Sequence, residues 1–229
     1  MARQQGFTLV EILVVLAIMA VLAAMMLPVL GRARQKARTA VCQANLRQIS
    51  EAALMYAQDY DGRLPCYADA NCGPEWRRFW HQLLEPYVSN MAVFICPEAG
   101  PGKPPPNGLI AKRDNLVVSY GCAYPHVFGC GWHGGNPLAV FDTPAQDILA
   151  VDHHYRGDSN EAEETGGCCP RVLCPLCTSD RRGAVSNRHN GGANAAFLDG
   201  HAKWLPKSEY YLKDLWGHQD NLSAPWGYP

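Results

Sequence analysis

The N-terminal region of the chain contains a long apolar segment with a single charge. From Phe7 to Leu30 the only charged side chain is Glu11. A helix over these residues would be about 36 Å long at 1.5 Å per residue, which is enough to cross a hydrocarbon core of roughly 30 Å. A carboxylate is costly inside lipid, so charges in membrane segments usually have a partner and a function. The sequence therefore predicts a membrane-spanning helix whose one acid is functional.

The residues before this apolar run differ from an ordinary secretory signal. Such a signal has an apolar core of about 7–15 residues, followed by a cleavage site of small residues. Here the apolar run is too long, and the residue that suits cleavage, Gly6, precedes it. A cut after Gly6 would remove a short leader and keep the hydrophobic helix on the mature protein.

The segment from Gly6 to Glu11, Gly-Phe-Thr-Leu-Val-Glu, resembles the class III leader of type IV pilins and type II secretion pseudopilins. In that family a prepilin peptidase cuts after the Gly and methylates the new N-terminal Phe. The resemblance implies a leader at residues 1–6, cleavage between Gly6 and Phe7, and N-methylation of Phe7. Pro28 lies where many type IV pilins also carry a proline. A plain membrane anchor with a chance glutamate is the alternative.

The same resemblance implies a role for Glu11 in assembly. A carboxylate buried between packed helices without a partner would cost several kcal/mol. In the family it pairs with the N-terminal amine of a neighbouring subunit, which would fix the axial register of a helical homo-oligomer. An inner-membrane platform and its ATPase would drive assembly, and membrane lipid would surround residues 7–30 before it. Pro28 is expected to kink or loosen the helix because it lacks an N–H.

The helix is predicted to continue beyond the membrane, over residues 31–61. No proline or glycine occurs from Arg32 to Tyr60, whereas Asp61-Gly62 and Pro65 form a stop signal. Apolar residues recur at a spacing of three to five and predict one packed face: Ala33, Ala37, Val41, Ala44, Ile49, Ala53 and Tyr56. Residues 62–229 then form a globular head, which is long enough for one compact domain.

Composition indicates an exported head. The net charge is −1, which gives no indication of nucleic-acid binding. Ten cysteines lie beyond the apolar run, and an even number in an exported domain predicts disulfides. These candidates are Cys42, Cys66, Cys72, Cys96, Cys122, Cys130, Cys168, Cys169, Cys174 and Cys177. Cys42 is expected to tie the helix to the head, and Cys66–Cys72 and Cys122–Cys130 are plausible local loops. For the last four, zinc or redox chemistry is an alternative, because Cys174 and Cys177 form a C-x-x-C pair.

The head is predicted to be a small antiparallel sheet packed on the long helix, an α+β arrangement. Trp76–Val88 suggests a short amphipathic helix, and Val93–Pro97 a short buried segment. Strands are expected at Leu116–Tyr120 and, centrally, at Ile148–Asp152. Residues 195–205 predict a hairpin with a two-residue turn at Asp199-Gly200.

This hairpin carries a second resemblance. His189, nine residues and then Asp199-Gly200 resemble the H-x9-D-G signature of a pilin-like family common in planctomycete-type bacteria. Three other passages are similar to that family: residues 57–62, Cys96-Pro97 and residues 119–121. The resemblance implies a pilin-like fold and assembly.

Several titratable side chains in the head could bind a metal or support catalysis. His189 and Asp199 could form a dyad that binds a metal with His201 or Asp152, although bracing of the hairpin by His189 is the plainer interpretation. Calcium is a further possibility, because major pseudopilins bind it in a C-terminal loop. Its weak candidate ligands here are Asp158, Asn160 and Glu161, and a solvated acidic loop is the alternative. No nucleophile-elbow pattern is present, and an enzyme is not expected.

The sequence therefore predicts a structural subunit of a type II secretion pseudopilus or type IV pilus-like filament. Before assembly it would lie in a bacterial inner membrane with its head in the periplasm, and the filament would be periplasmic or extracellular. A minor pilin or adhesin that acts as a binding module is one alternative, and a membrane-anchored metal-dependent enzyme is another.

Overall fold

The structure is a computed structural model that describes residues 8–66, 79–99, 118–124, 127–129, 135–153, 171–173 and 185–209. Its helices are α1 (Leu9–Asp59) and α2 (Trp80–Leu83), with short 3-10 helices at Glu85–Tyr87, Met91–Phe94 and Leu138–Val140. Its strands are β1 (Tyr120–Tyr124), β2 (Ile148–Asp152), β3 (Arg171–Leu173), β4 (Gly192–Phe197) and β5 (Ala202–Pro206). The chain divides into two compact units, Met1–Arg38 and Thr39–Pro229. We call the second unit the head.

Helix α1 is continuous through Pro28. The kink or loosening expected there, because proline lacks an N–H, stays a prediction. Among the described residues, α1 is the one helix that is long and apolar enough to cross a membrane. It ends just before the predicted stop, where Asp61 and Gly62 both have positive φ angles.

Within the head, the C-terminal part of α1 packs against the sheet. The hydroxyl of Ser50 donates to the carbonyl of Phe197 at 2.7 Å, and the amide of Gln43 donates to Oδ1 of Asn194 at 3.1 Å. The buried residues of α1 are Cys42, Leu46, Ile49, Ser50, Ala52, Ala53 and Ala57. The predicted face was right at Ile49 and Ala53 but wrong at Val41 and Ala44, which are exposed. The buried face of α1 also includes Cys42 and Ser50, which a pattern of aliphatic residues does not indicate.

The five described strands form one sheet in the order β3-β1-β2-β4-β5. The pairs β1–β2, β2–β4 and β4–β5 are antiparallel, as predicted, and β3 joins the edge parallel to β1. Strand β2 is central and wholly buried, which confirms the prediction for Ile148–Asp152. The strand expected at Leu116–Tyr120 instead begins at Tyr120 and continues to Tyr124.

The predicted hairpin is present as β4 and β5, but its turn differs. The N–H of Phe197 donates to the carbonyl of His201, and the N–H of Gly200 donates to the carbonyl of Phe197. The loop therefore contains three residues, and Gly200 at φ +97° occupies the left-handed position that this loop requires. The two-residue turn is wrong because Leu198 also belongs to the loop.

The predicted amphipathic helix at Trp76–Val88 is shorter than expected. Its described part is α2 followed by a 3-10 turn over Glu85–Tyr87, which contains Pro86. The indole of Trp80 is buried and makes edge contacts with Phe94 and Phe128, at centroid distances of 5.5 Å and 5.7 Å. The segment expected at Val93–Pro97 is buried at Val93, Phe94 and Cys96, and it begins as the 3-10 helix Met91–Phe94.

Candidate functional site

The N-terminus of α1 contains a reciprocal hydrogen-bonded cap. The carboxylate of Glu11 accepts hydrogen bonds from the N–H and the hydroxyl of Thr8, both at 2.8 Å. The N–H of Glu11 in turn lies 3.3 Å from the hydroxyl oxygen of Thr8. This arrangement is a capping box, in which the residue before the helix and the residue three positions later satisfy each other's backbone donors. The pattern Thr-x-x-Glu is visible in the sequence and could have predicted this cap.

The cap gives Glu11 a partner within its own chain. Phe7, Gly6 and the rest of the predicted leader lie outside the described residues, so the geometry of the predicted cleavage site is not described. The carboxylate at the helix start also interacts favourably with the positive end of the helix dipole. Glu11 therefore stabilises the start of α1 independently of any role between subunits.

The apolar part of α1 is exposed on every side. All residues from Thr8 to Arg38 are exposed. Large apolar side chains cover the whole circumference of the helix: Leu9, Val10, Ile12, Leu13, Val14, Val15, Leu16, Ile18, Met19, Val21, Leu22, Met25, Met26, Leu27, Val29 and Leu30. A helix that is apolar all round belongs inside a membrane or inside a protein assembly. None of the residues that the structure describes covers this surface.

A second site lies inside the head, and we call it the buried cluster. It consists of Cys42 on α1, Cys96 after the Met91–Phe94 turn, Asp152 at the end of β2 and His189 just before β4. One ligand atom from each of the four side chains lies within 4.8 Å of all the others. All four residues are at most 2% exposed. Among the residues that the structure describes, this is the one group of at least three such side chains in metal-ligand proximity.

The polar atoms of the buried cluster make close contacts with one another. Sγ of Cys42 lies 3.4 Å from Oδ1 of Asp152, and Sγ of Cys96 lies 3.3 Å from Nε2 of His189. Nε2 of His189 is also 3.5 Å from Oδ2 of Asp152. Both sulfurs are thiols, without a disulfide bond between them.

Neighbouring groups hold these side chains in position. The hydroxyl of Thr39 lies 3.2 Å from Nδ1 of His189, on the side of the ring that faces away from the cluster. The N–H of Asn194 donates to Oδ2 of Asp152 at 2.7 Å, and the hydroxyl of Tyr120 donates to Sγ of Cys42 at 3.4 Å. The cluster is thus supported by α1 and by three strands of the sheet.

The electrostatics of the buried cluster shift the pKa values of its two thiols in opposite directions. Burial raises the pKa of Cys42 far above its ordinary value. Hydrogen bonds with Cys42 and then with His189 lower the pKa of Cys96, against the effect of burial. Burial alone would lower the pKa of His189, but its contacts with Asp152 and Cys96 outweigh burial and raise that pKa to about 9. Cys96 is therefore the thiol that is more readily deprotonated.

The two ends of the H-x9-D-G signature contact different side chains. His189 and Asp199 lie at opposite ends of β4, and the side-chain partner of Asp199 is His201, with Nδ1 of the ring 2.5 Å from Oδ1. The predicted dyad of His189 and Asp199 is therefore wrong. His189 does contact Asp152, which was its other predicted partner. It also takes part in the hairpin, because the indole of Trp204 donates to the His189 carbonyl at 2.7 Å.

Two family models match the chain. The model described as "Prokaryotic N-terminal methylation motif" matches residues 1–27, and the model described as "Protein of unknown function (DUF1559)" matches residues 31–108. The first match includes Gly6, Phe7 and Glu11, and the second includes Cys42 and Cys96. Among curated proteins and solved structures, no match to the chain is found.

These two matches fit a pilin- or pseudopilin-like protein. The match to the methylation motif, over residues 1–27, includes most of the exposed apolar part of α1. The matched motif and the membrane-length helix therefore share these residues. Such a helix agrees with membrane anchoring of this pilin-like protein before assembly. The H-x9-D-G signature lies beyond both matched segments.

The remaining predicted sites of this pilin-like protein lie mostly outside the described residues. Among the cysteines these are Cys72, Cys130, Cys168, Cys169, Cys174 and Cys177, and the weak calcium candidates Asp158, Asn160 and Glu161 lie outside as well. Both predicted local disulfides include one of these cysteines and stay predictions. The disulfide by which Cys42 was expected to tie the helix to the head does not form with another described cysteine. Cys42 instead contacts the sheet through Asp152 and Tyr120.

Proposed function

We propose that this protein is a structural subunit that polymerises through α1 into a type II secretion pseudopilus or a type IV pilus-like filament. The observation that carries the proposal is the apolar surface of α1, which is exposed on all sides. Most of this surface lies in the segment that matches the methylation motif. A prepilin peptidase would cut between Gly6 and Phe7 and methylate Phe7. The subunit itself would catalyse no reaction.

The physical chemistry of α1 supports a transfer from lipid to filament. In lipid the apolar side chains of residues 9–30 are already covered, so helix association gains little from the hydrophobic effect and depends on packing and polar contacts. A polar contact between subunits therefore contributes much of the specificity. Glu11 is the one charged side chain of the described residues 8–30 that can supply it.

The cap at Thr8 suggests which hydrogen bonds the Glu11 carboxylate makes before assembly. In the separate subunit the carboxylate accepts two hydrogen bonds from Thr8. Cleavage would create a free amine at Phe7, next in sequence to this cap. In the filament that amine, from a neighbouring subunit, would add a charge-assisted bond to Glu11, and such bonds are stronger than those between neutral groups. The head would lie in the periplasm during this exchange, opposite the cytoplasmic ATPase.

Intact-mass analysis of the protein from its native host, combined with electron microscopy of sheared filaments, tests this proposal. We expect a mature chain that begins at N-methylated Phe7 and that is abundant in the filaments. A mature chain that retains Met1, or that is cut beyond Leu30, would contradict the proposal. Correctly processed protein that is absent from all filaments would contradict the polymerisation step alone.

A further inference from the structure

We propose that the buried cluster binds one Zn²⁺ ion, which fastens α1 to the sheet of the head. This inference is independent of filament assembly, because all four side chains belong to the head. They come from four segments that are far apart in the sequence. One ion would therefore connect the helix, the turn after Met91–Phe94, β2 and the start of β4.

The donor set suits zinc and disfavours calcium and magnesium. Two thiolates, one imidazole and one carboxylate supply two sulfur atoms, one nitrogen and one oxygen. Structural zinc sites are four-coordinate and use cysteine, histidine and acidic ligands. Calcium and magnesium prefer oxygen ligands only, so a site with two sulfurs disfavours both.

The spacing of the donor atoms also fits. Ligands at about 2.0–2.3 Å from a tetrahedral zinc lie about 3.3–3.8 Å from one another. Three of the six donor separations are 3.4 Å from Sγ of Cys42 to Oδ1 of Asp152, 3.3 Å from Sγ of Cys96 to Nε2 of His189 and 3.5 Å from Nε2 of His189 to Oδ2 of Asp152. One ligand atom from each residue lies within 4.8 Å of the other three. The donor atoms thus converge with the spacing of a tetrahedral site.

The surrounding hydrogen bonds are those that orient metal ligands. The hydroxyl oxygen of Thr39 can accept a hydrogen bond from Nδ1–H of His189, and this tautomer leaves the lone pair of Nε2 directed at the sulfur of Cys96. Histidine ligands usually donate their second N–H in this way. Oδ2 of Asp152 accepts the N–H of Asn194, and the sulfur of Cys42 accepts the hydroxyl of Tyr120.

A nucleophilic cysteine is the main chemical alternative, and the geometry disfavours it. In a relay, the acid binds the imidazole nitrogen opposite the one that faces the nucleophile. Here the sulfur of Cys96 and the carboxylate of Asp152 both approach Nε2, while Nδ1 faces Thr39. All four side chains are also buried, so a substrate has no access to the sulfur.

Zinc binding would satisfy groups that are otherwise costly to bury. Charges removed from water need a partner of opposite sign or a metal. Zn²⁺ would replace two protons of the cluster, one from each cysteine thiol or, where Cys96 has already passed its proton to His189, one from Cys42 and one from the imidazolium. No bond is oxidised or reduced in this step.

The first test uses the unaltered protein, purified whole in detergent from cells grown with zinc. Metal analysis is expected to give one zinc per chain. X-ray absorption at the zinc edge is expected to show two sulfur ligands near 2.3 Å and two nitrogen or oxygen ligands near 2.0–2.1 Å. Four sulfur ligands would assign the zinc to Cys168, Cys169, Cys174 and Cys177 instead, and would overturn the proposal.

The second test uses variants with matched controls. Cys96→Ser is expected to abolish zinc binding, whereas Cys66→Ser and the double variant Cys174→Ser/Cys177→Ser keep it. Thr39→Val removes only the group that orients His189, and we expect it to lower zinc affinity about 10–100-fold while the head stays folded. Thr39→Val with unchanged affinity would overturn the positioning of His189.

A disulfide between Cys42 and Cys96 is the alternative to zinc binding by these two thiols. Non-reducing peptide mapping after thiol alkylation distinguishes the two outcomes in the same sample. Alkylation of Cys42 and Cys96 only after zinc is removed by a chelator supports the proposal. A peptide that links Cys42 to Cys96, in protein without zinc, would overturn it.

Discussion

Replacing Gly192 with alanine tests how tightly β4 and β5 pack where the hairpin meets His189. A Cβ atom at Gly192 would lie 2.4 Å from the carbonyl oxygen of Leu205 and 2.5 Å from Cζ2 of Trp204. Ordinary contact begins near 3.4 Å, so β5 would have to move by about 1 Å. The strand cannot move freely, because Gly192 pairs with Pro206 and Ala193 pairs with Leu205.

The expected cost follows from this clash. Overpacking in a core typically costs about 1–3 kcal/mol, and a clash with backbone favours the upper part of that range. For a domain of 150–250 residues each kcal/mol lowers the melting temperature by about 2–4 °C, so Gly192→Ala is expected to lower it by roughly 5–10 °C. The shift would also weaken the bond from the Trp204 indole to the His189 carbonyl.

Thermal unfolding in detergent, followed by tryptophan fluorescence, measures this effect. Gly31→Ala is the matched control, because the same added atom meets nothing within 4 Å there. We expect the head of that variant to melt at the wild-type temperature. A Gly192→Ala protein that melts within about 2 °C of wild type would show that β5 adapts, and the reasoning from rigid packing would be refuted.

Three further outcomes are expected. Glu11→Ala should keep membrane insertion and lose filament assembly, whereas Glu51→Ala, an exposed acid of the same helix, should assemble normally; equal filament yields in cells without wild-type subunit would contradict the role of Glu11. Thr8→Val should lower helix stability by about 0.5–2 kcal/mol, because α1 loses its capping hydroxyl, and circular dichroism melts of the protein in detergent compared with Thr8→Ser measure this. Burial raises the pKa of Asp199, but hydrogen bonds from His201 outweigh burial and keep it below its ordinary value. The stabilisation is therefore present above pH 4 and lost in acid, so the small destabilisation by Asp199→Asn should disappear as unfolding is measured at falling pH.

The buried cluster shows how far the sequence could be used. Asp152 and His189 were predicted as possible metal ligands, and Cys42 as the residue that connects the helix to the head. Nothing in the spacing of these residues brings Cys96 to the same point, because the four side chains lie on four separate segments. The predicted dyad of His189 and Asp199 is wrong for a related reason. Strand β4 lies between these two residues and places them at its opposite ends.

The sequence by itself determined the features that depend on local patterns. The apolar run predicts the membrane-length helix, Asp199-Gly200 predicts the hairpin, and the residues from Gly6 to Glu11 predict a pilin-like protein, because composition and near neighbours suffice for each. Only the tertiary structure decided which face of α1 is buried and which side chains meet inside the head. Those outcomes depend on contacts between residues that are distant in the chain, such as the hydrogen bonds from Ser50 to Phe197 and from Cys42 to Asp152.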